Sequence, residues 1–204
     1  RKNDDTSINI NEGFNMSLLA DYIYLDDKEK ELFGKSRHEY LIEQVQFNGR
    51  NDIFNLNKII KINFSNCIKD IYYIIDYNKN LFEKDRSNYS LNVSTNSGNP
   101  ILSTKLIVNN INIFNQNGIY TNYIIPYESY KNTPSDGVNI LKFGINDNNF
   151  QPSGALNFSM YNNVNLELNI DESYLVNKNK VVKIFANGYN ILRIMGGQAG
   201  LAFI

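Results

Sequence analysis

Between residues 164 and 170 the side chains alternate without a break. Val164, Leu166, Leu168 and Ile170 fall on one side of an extended chain, and Asn165, Glu167 and Asn169 fall on the other. A period of two cannot form the stripe of a helix. This segment must therefore lie in a sheet, with one dry face and one that meets water or a polar neighbour. The start is marked too, in FQPSGALNFSMYNNVNLELNI (residues 150–170). Pro152 fixes its own φ and biases Gln151 toward extended backbone, while Gly154 permits a positive φ.

The rest of the chain repeats the theme. Residues 6–10 alternate briefly, as an edge strand would. Residues 17–25, SLLADYIYL, are apolar on both faces, which predicts a strand buried inside a two-layer structure or under another subunit, with a partner for Asp21. Residues 40–48 and 71–76 and the alternating Ile60, Ile62 and Phe64 predict three more strands. In residues 106–114, LIVNNINIF, the apolar face switches, and a bulge would explain the slip. Residues 140–145 form another, and residues 180–185 and 189–195 flank an Asn187-Gly188 hairpin signal.

One helix signal stands out, over residues 26–34. Asp26 is placed to cap the first turn, Glu29 stands at capping-box spacing, and Gly34 can close the helix. Two stretches read as irregular connections: residues 77–100, rich in Asn and Ser, and residues 123–137, containing Tyr123, Tyr127 and Tyr130 and bracketed by Pro126, Pro134 and Gly137. Eight or more strands, long unequal loops and almost no helix predict an all-β fold. The expected form is an antiparallel two-sheet jelly-roll sandwich with one short helix, a single domain over residues 1–204.

Composition excludes several classes of function. The chain has 204 residues, 20 basic against 21 acidic, and a net charge of -1, so no overall field attracts nucleic acid or an anionic membrane. No run of about 18 apolar residues appears, so no transmembrane segment is expected. The single cysteine, Cys67, cannot form an intramolecular disulfide. The missing initiator Met and signal-peptide core suggest a fragment or processed product, and the wealth of Asn, Ile, Lys and Tyr matches the bias of an AT-rich genome.

The residues that could carry chemistry are few. His38 is the only histidine, too few for a cupin-type metal site, and its pairing with Cys67 has no diagnostic spacing. Glu39, Glu43 and Asp76 could pair as acid and base of a glycosidase, but carboxylates on strands more often form a solvated face. The GGQAG run at residues 196–200 misses the phosphate-loop spacing and reads as a tight turn. No catalytic residue, metal or cofactor is therefore expected. Sequons occur at Asn15, Asn63, Asn88, Asn92 and Asn157, of which Asn88 and Asn92, in the long loop, are the possible glycosylation sites. Tyrosine and phenylalanine number 14 and 12, several of them in loops, and exposed amphipathic rings favour interfaces. Assembly into something larger is the reading preferred here. A lectin-like carbohydrate-binding module using Tyr127 and Tyr130 is the alternative.

Two segments carry a resemblance to a known family. QPSGALNFS (residues 151–159) and YNILRIMGGQAGLAF (residues 189–203), with SLLADYIYLDDKEKELF (17–33) and HEYLIEQVQF (38–47), resemble the signatures of the major capsid proteins of nucleocytoplasmic large DNA viruses. The resemblance covers nearly the whole chain, in the family's order, and matches the C-terminal half of a double jelly-roll protein. It implies a structural virion protein without catalytic residues. The full-length subunit would form homotrimers of pseudo-hexagonal outline that tile an icosahedral shell beside neighbouring capsomers and minor capsid proteins. Such a protein would be assembled in the host cytoplasm and would have no direct contact with nucleic acid.

Overall fold

A computed structural model of the chain describes residues 16–77, 89–90, 98–145, 151–175 and 180–203. The chain divides into two compact units, Arg1–Ser36 and Arg37–Ile204. The predicted edge strand at residues 6–10 lies outside the described residues.

In the first unit, helix α1 (Asp27–Lys35) forms where its caps dictate. The Asp26 carboxylate accepts from the Glu29 amide at 2.8 Å, and the Glu29 carboxylate accepts from the Asp26 amide at 3.3 Å. Gly34 does not end the helix. It lies within it, and the Ser36 amide and hydroxyl close the last turn on the Leu32 carbonyl at 3.0 and 2.7 Å. The strand predicted over residues 17–25 is absent. A strand needs a neighbour to take its backbone hydrogen bonds, and no described strand pairs with this segment. Leu18, Leu19, Ile23 and Tyr24 remain exposed.

Among its described residues the second unit is a sandwich of ten strands: β1 (His38–Asp52), β2 (Asn57–Lys61), β3 (Cys67–Tyr77), β4 (Ile101–Val108), β5 (Ile111–Asn117), β6 (Asn139–Lys142), β7 (Leu156–Asn157), β8 (Val164–Ile170), β9 (Lys180–Met195) and β10 (Gln198–Leu201). One sheet has the order β1-β9-β3-β6, with β7 continuing along β3 and β10 along β9, and the other has the order β2-β8-β4-β5. All pairings are antiparallel. Consecutive strands fall in opposite sheets at most steps. That is the winding of a jelly roll rather than a meander, as the sequence predicts.

The alternation at residues 164–170 places Val164, Leu166, Leu168 and Ile170 in the core of β8, at 3% exposure or less. Facing them from the other sheet are Ile68, Ile71, Tyr73, Ile75, Val182, Ile184 and Ala186, all completely buried. The Tyr73 hydroxyl, in this dry layer, is satisfied by the Thr104 hydroxyl at 2.8 Å.

Several local readings are refined. The Asn187-Gly188 hairpin does not exist, because β9 runs unbroken through both residues. Gly188 is a glycine because β3 passes so close that an added Cβ would lie 2.7 Å from the Cys67 carbonyl oxygen. The face switch in residues 106–114 spans the expected slip, a register shift between Leu106 and Ile107, and beside it a hairpin, where Asn109 and Asn110 take φ of 47° and 66° and join β4 to β5. The stretch at residues 123–137 is partly helical, with a π turn (Tyr120–Ile124) running into helix α2 (Ile125–Tyr130). Pro126 is the second residue of α2 and continues the helical run from the π turn, and Lys131 at φ 57° ends it. The predicted strand at residues 140–145 is shorter, stopping at Lys142.

Candidate assembly face

The two signature segments meet in space. Phe158, 2% exposed, is the anchor of the first: its ring packs edge-on against Phe64 and Phe143, with centroids 6.1 and 5.9 Å away. Around it the turn is held by the Phe158 amide on the Asn66 carbonyl at 2.9 Å and by the Asn66 amide on the Ser159 hydroxyl at 2.8 Å. The second segment carries β9 into β10 through Gly196 and Gly197, with φ of 59° and 78°, so GGQAG is the tight turn expected. Asn190 then ties the chain end to β1: its amide group donates to Gln44 and to the Phe203 carbonyl at 2.8 Å each. Between the two segments lies a cavity of about 530 Å³, lined by Leu41, Cys67, Pro152, Ala155, Ile191 and Phe203 among others.

The outer face of the larger sheet has two unlike halves. Over β3 and β6 it is lidded by α2. There the Tyr130 hydroxyl bonds the Tyr72 hydroxyl at 2.8 Å and donates to Asp70 at 3.3 Å, and Lys142 donates to Ser129 at 3.0 Å. Burial, with the Asp70 charge beside it, pushes the Tyr72 phenol well up from its ordinary value. Over β1 and β9 no described element of this unit covers the same face. Leu41, Val45 and Phe47 are 52%, 68% and 51% exposed, and Phe47 stacks on Phe185 at 4.7 Å. Because β1 pairs with β9 through Leu41↔Ile191 and Phe47↔Phe185, these side chains form an apolar strip that is interrupted at Glu43, which lies on the same face opposite Tyr189.

Charges border that strip in closed sets. Glu39 accepts from Arg37 at 2.6 Å and from Arg193 at 2.7 Å, and these two guanidinium groups hold its carboxyl below the usual range. Glu43 accepts from Lys69 at 2.6 Å and from Asn187 at 2.9 Å, chiefly the former lowering its pKa. For Lys69 burial works downward, but the Glu43 bond and the Asp70 charge outweigh it, so the net shift is upward. Its ammonium lies 6.0 Å from the centre of the Tyr189 ring.

The inward side of β1 was not legible as a site. Gln46 exchanges two bonds with Ser65, at 2.8 and 2.9 Å, and Asn48 donates to the Lys61 carbonyl and accepts from the Asn63 amide at 2.9 and 2.8 Å. An amide side chain presents a donor and an acceptor as a peptide group does, so these residues act as a substitute strand edge. Amide residues at alternate inward positions of a strand were the available signal. A second such set holds the start of the π turn: Asn99 and Asn139 exchange bonds at 2.7 and 3.0 Å, and Thr121 donates to Asn139 at 2.8 Å.

The weighed catalytic groups do not converge. Glu39, Glu43 and Asp76 are each paired with a cation rather than with one another, Asp76 with Lys183. His38 lies opposite Ile194, five positions along β1 from Glu43, which faces Tyr189 in the row of Cys67. Among the described residues no three His, Cys, Asp or Glu side chains gather as a metal site, and no helix is long and apolar enough to cross a membrane. Asn15, Asn88 and Asn92 lie outside the described residues. Asn157 caps the turn at Ser159, accepting at 3.1 Å. Tyr123 and Tyr127 stack in parallel and are exposed, whereas Tyr130 is committed to Tyr72.

Sheet order and winding define a jelly-roll protein. Residues 29–200 match the family of the large eukaryotic DNA virus major capsid protein. The chain belongs to that family. It is 31% identical over 202 residues to probable capsid protein 4 of Acanthamoeba polyphaga mimivirus, covering 93% of this chain and 39% of that protein. With the major capsid protein of Paramecium bursaria Chlorella virus 1 it shares 29% identity, covering 92% of this chain and 54% of the relative. The PBCV-1 virus capsid structure superposes with a TM-score of 0.71 at 26% identity, over 90% of this chain and 55% of that one. The chain thus spans 39% to 56% of the length of its first relatives.

Proposed function

We propose that this chain is the C-terminal jelly roll of a major capsid subunit, whose full-length form assembles as homotrimeric capsomers of pseudo-hexagonal outline that tile an icosahedral shell. The observation that carries the reading is the family match over residues 29–200, which includes the first signature segment and most of the second. The protein works by association rather than by catalysis. A symmetric array multiplies modest contacts, so that no single one needs to be strong. It resides in the virion after assembly in the host cytoplasm, and its partners are other capsomers and minor capsid proteins. The test is the mass of the purified full-length subunit by light scattering, expected to be that of a trimer. A monodisperse monomer at high concentration would reject the trimeric reading.

A further inference from the structure

We propose that this chain closes a covalent isopeptide bond within itself, between the Lys69 amine and the Asn187 side-chain amide, with Glu43 carrying the proton. The proposal goes beyond the capsid reading and stands or falls without it.

Three neighbouring strands bring the groups together: β1 supplies Glu43, β9 supplies Asn187 and β3 supplies Lys69. A bulge aims the lysine. Ile68 pairs with Gly188 and Asp70 with Asn187, so Lys69 is the extra residue between them. Its side chain is carried across β9 toward β1, where the ammonium donates to one oxygen of Glu43 at 2.6 Å. The Asn187 amide group donates to the other oxygen of the same carboxylate at 2.9 Å. One acid therefore holds an amine and an amide side by side. The Lys69 side chain is only 7% exposed, and the Tyr189 ring lies beside it, so water has little access to the pair. The Asn187 carbonyl oxygen is buried and has no hydrogen-bond partner among the described residues. An amide that serves only as a strut uses both its ends; this one leaves its acyl oxygen unspent.

The reaction needs no further reagent. Glu43 accepts a proton from the Lys69 ammonium, and the freed amine attacks Asn187 Cγ. The Lys69 Nζ–Asn187 Cγ bond forms and the Cγ–Nδ2 bond breaks. Two protons of the amine pass by way of Glu43 to the departing nitrogen, which leaves as ammonium, and Glu43 ends as the carboxylate it began as. Nothing is oxidised or reduced. The groups that face Lys69 are Glu43 from β1, Asp70 beside it, Tyr189 on β9 with Cys67 in its row, and Lys142 on β6 opposite Asp70. Their balance keeps Lys69 charged and Glu43 ionised, so the ion pair is the resting form. The reactive form, amine beside carboxylic acid, contains the same number of protons. Closure is therefore level in rate between about pH 5 and 10 and slows as acid protonates Glu43. The ion pair and its pH behaviour belong to the chain before closure. Afterwards the bond ties β3 to β9 and restricts the unfolded chain as a disulfide would, in a protein whose single cysteine has no partner.

The experiment is intact-mass spectrometry of the purified full-length subunit after prolonged incubation at neutral pH, followed by proteolysis and peptide mapping. The wild type should be lighter by one ammonia and should yield a branched peptide joining the segments that contain Lys69 and Asn187. Lys69→Met and Asn187→Ala should keep their full mass. Glu43→Gln, which retains hydrogen bonds but takes up no proton, should close about a hundredfold more slowly or not at all. A wild type of full mass after incubation overturns the proposal. So does an ammonia loss that persists in Lys69→Met, because that product would be a succinimide at Asn187-Gly188, whose formation accelerates with base instead of staying level. Closure of Glu43→Gln within about twofold of wild type would remove Glu43 from its role as proton carrier. Circular dichroism checks that each variant is folded, and if Lys69→Met does not fold, the presence or absence of the branched peptide in the wild type still decides.

Discussion

Replacing Phe158 with alanine tests whether the first signature segment is held by its ring. The side chain is 2% exposed and wedged between Phe64 and Phe143. Removing the ring opens roughly 100 Å³, which at ~24 cal/mol per Å³ costs ~2.4 kcal/mol if nothing relaxes. Lost transfer of the ring from water adds about 2 kcal/mol. The sum, ~4 kcal/mol, lies within the ~3–5 kcal/mol found for such truncations. For a domain of this size that lowers Tm by roughly 8–16 °C. Urea unfolding followed by circular dichroism gives the free energy directly, and Phe158→Leu, which refills most of the space, should lose less than about 1.5 kcal/mol. A loss below ~1.5 kcal/mol for Phe158→Ala, with the denaturant slope unchanged, would show that the ring is not clamped and that backbone bonds alone shape the segment.

Gly188→Val should destabilise by about 2–3 kcal/mol, because its Cβ would meet the Cys67 carbonyl oxygen and Ile68 Cδ1 at 2.7 and 2.8 Å. Gly49→Ala, at φ 82° with nothing within 4 Å, should cost only the ~1–2 kcal/mol of left-handed backbone; equal effects in thermal melts would contradict the close approach at Gly188. The Glu43–Lys69 pair sets a pH window. Glu43 is depressed below 4.5 in the fold, so its contribution is complete above 4.5 and fades as pH falls through the lower folded value. Lys69 is raised above 10.5, so its share is complete below 10.5 and fades as pH rises through the folded value. Lys69→Met should therefore differ from wild type between about pH 5 and 10 and converge with it in acid, as melting curves across pH would reveal.

Periodicity made the strands legible where one face is dry. Val164 to Ile170 could be read residue by residue because β8 sits centrally in its sheet, with its inner side chains in the core. It failed where a tertiary neighbour, rather than the local chain, decides. Asn187-Gly188 has the chemistry of a turn, but β3 runs alongside and takes both residues into a 16-residue strand. Pro126 looks like a breaker and lies within a continuous helical run, just after the π turn. Residues 17–25 have the pattern of a buried strand, and a pattern without a partner forms no ladder. The apolar strip was visible only in part: Leu41, Val45 and Phe47 lie every second or fourth residue on β1, but which half of the face α2 would leave bare depends on a connection read as loop.

Asparagine abundance, which composition alone assigns to genome bias, has a physical use here that bears on how the protein associates. Asn109 and Asn110 occupy the positive φ that closes a hairpin, Asn48 with Gln46 substitutes for a strand along β1, and Asn99 with Asn139 pins the π turn. In each case an amide uses up hydrogen-bonding capacity inside the molecule. The charges beside the strip are spent in the same way, on Arg37, Arg193 and Lys69. What the outer face of β1 and β9 has left to offer a neighbour is mainly apolar area, whose attraction has no preferred direction and grows with each contact added. The outer face of the opposite sheet mixes amides with the exposed Ile59, so neither face is purely polar.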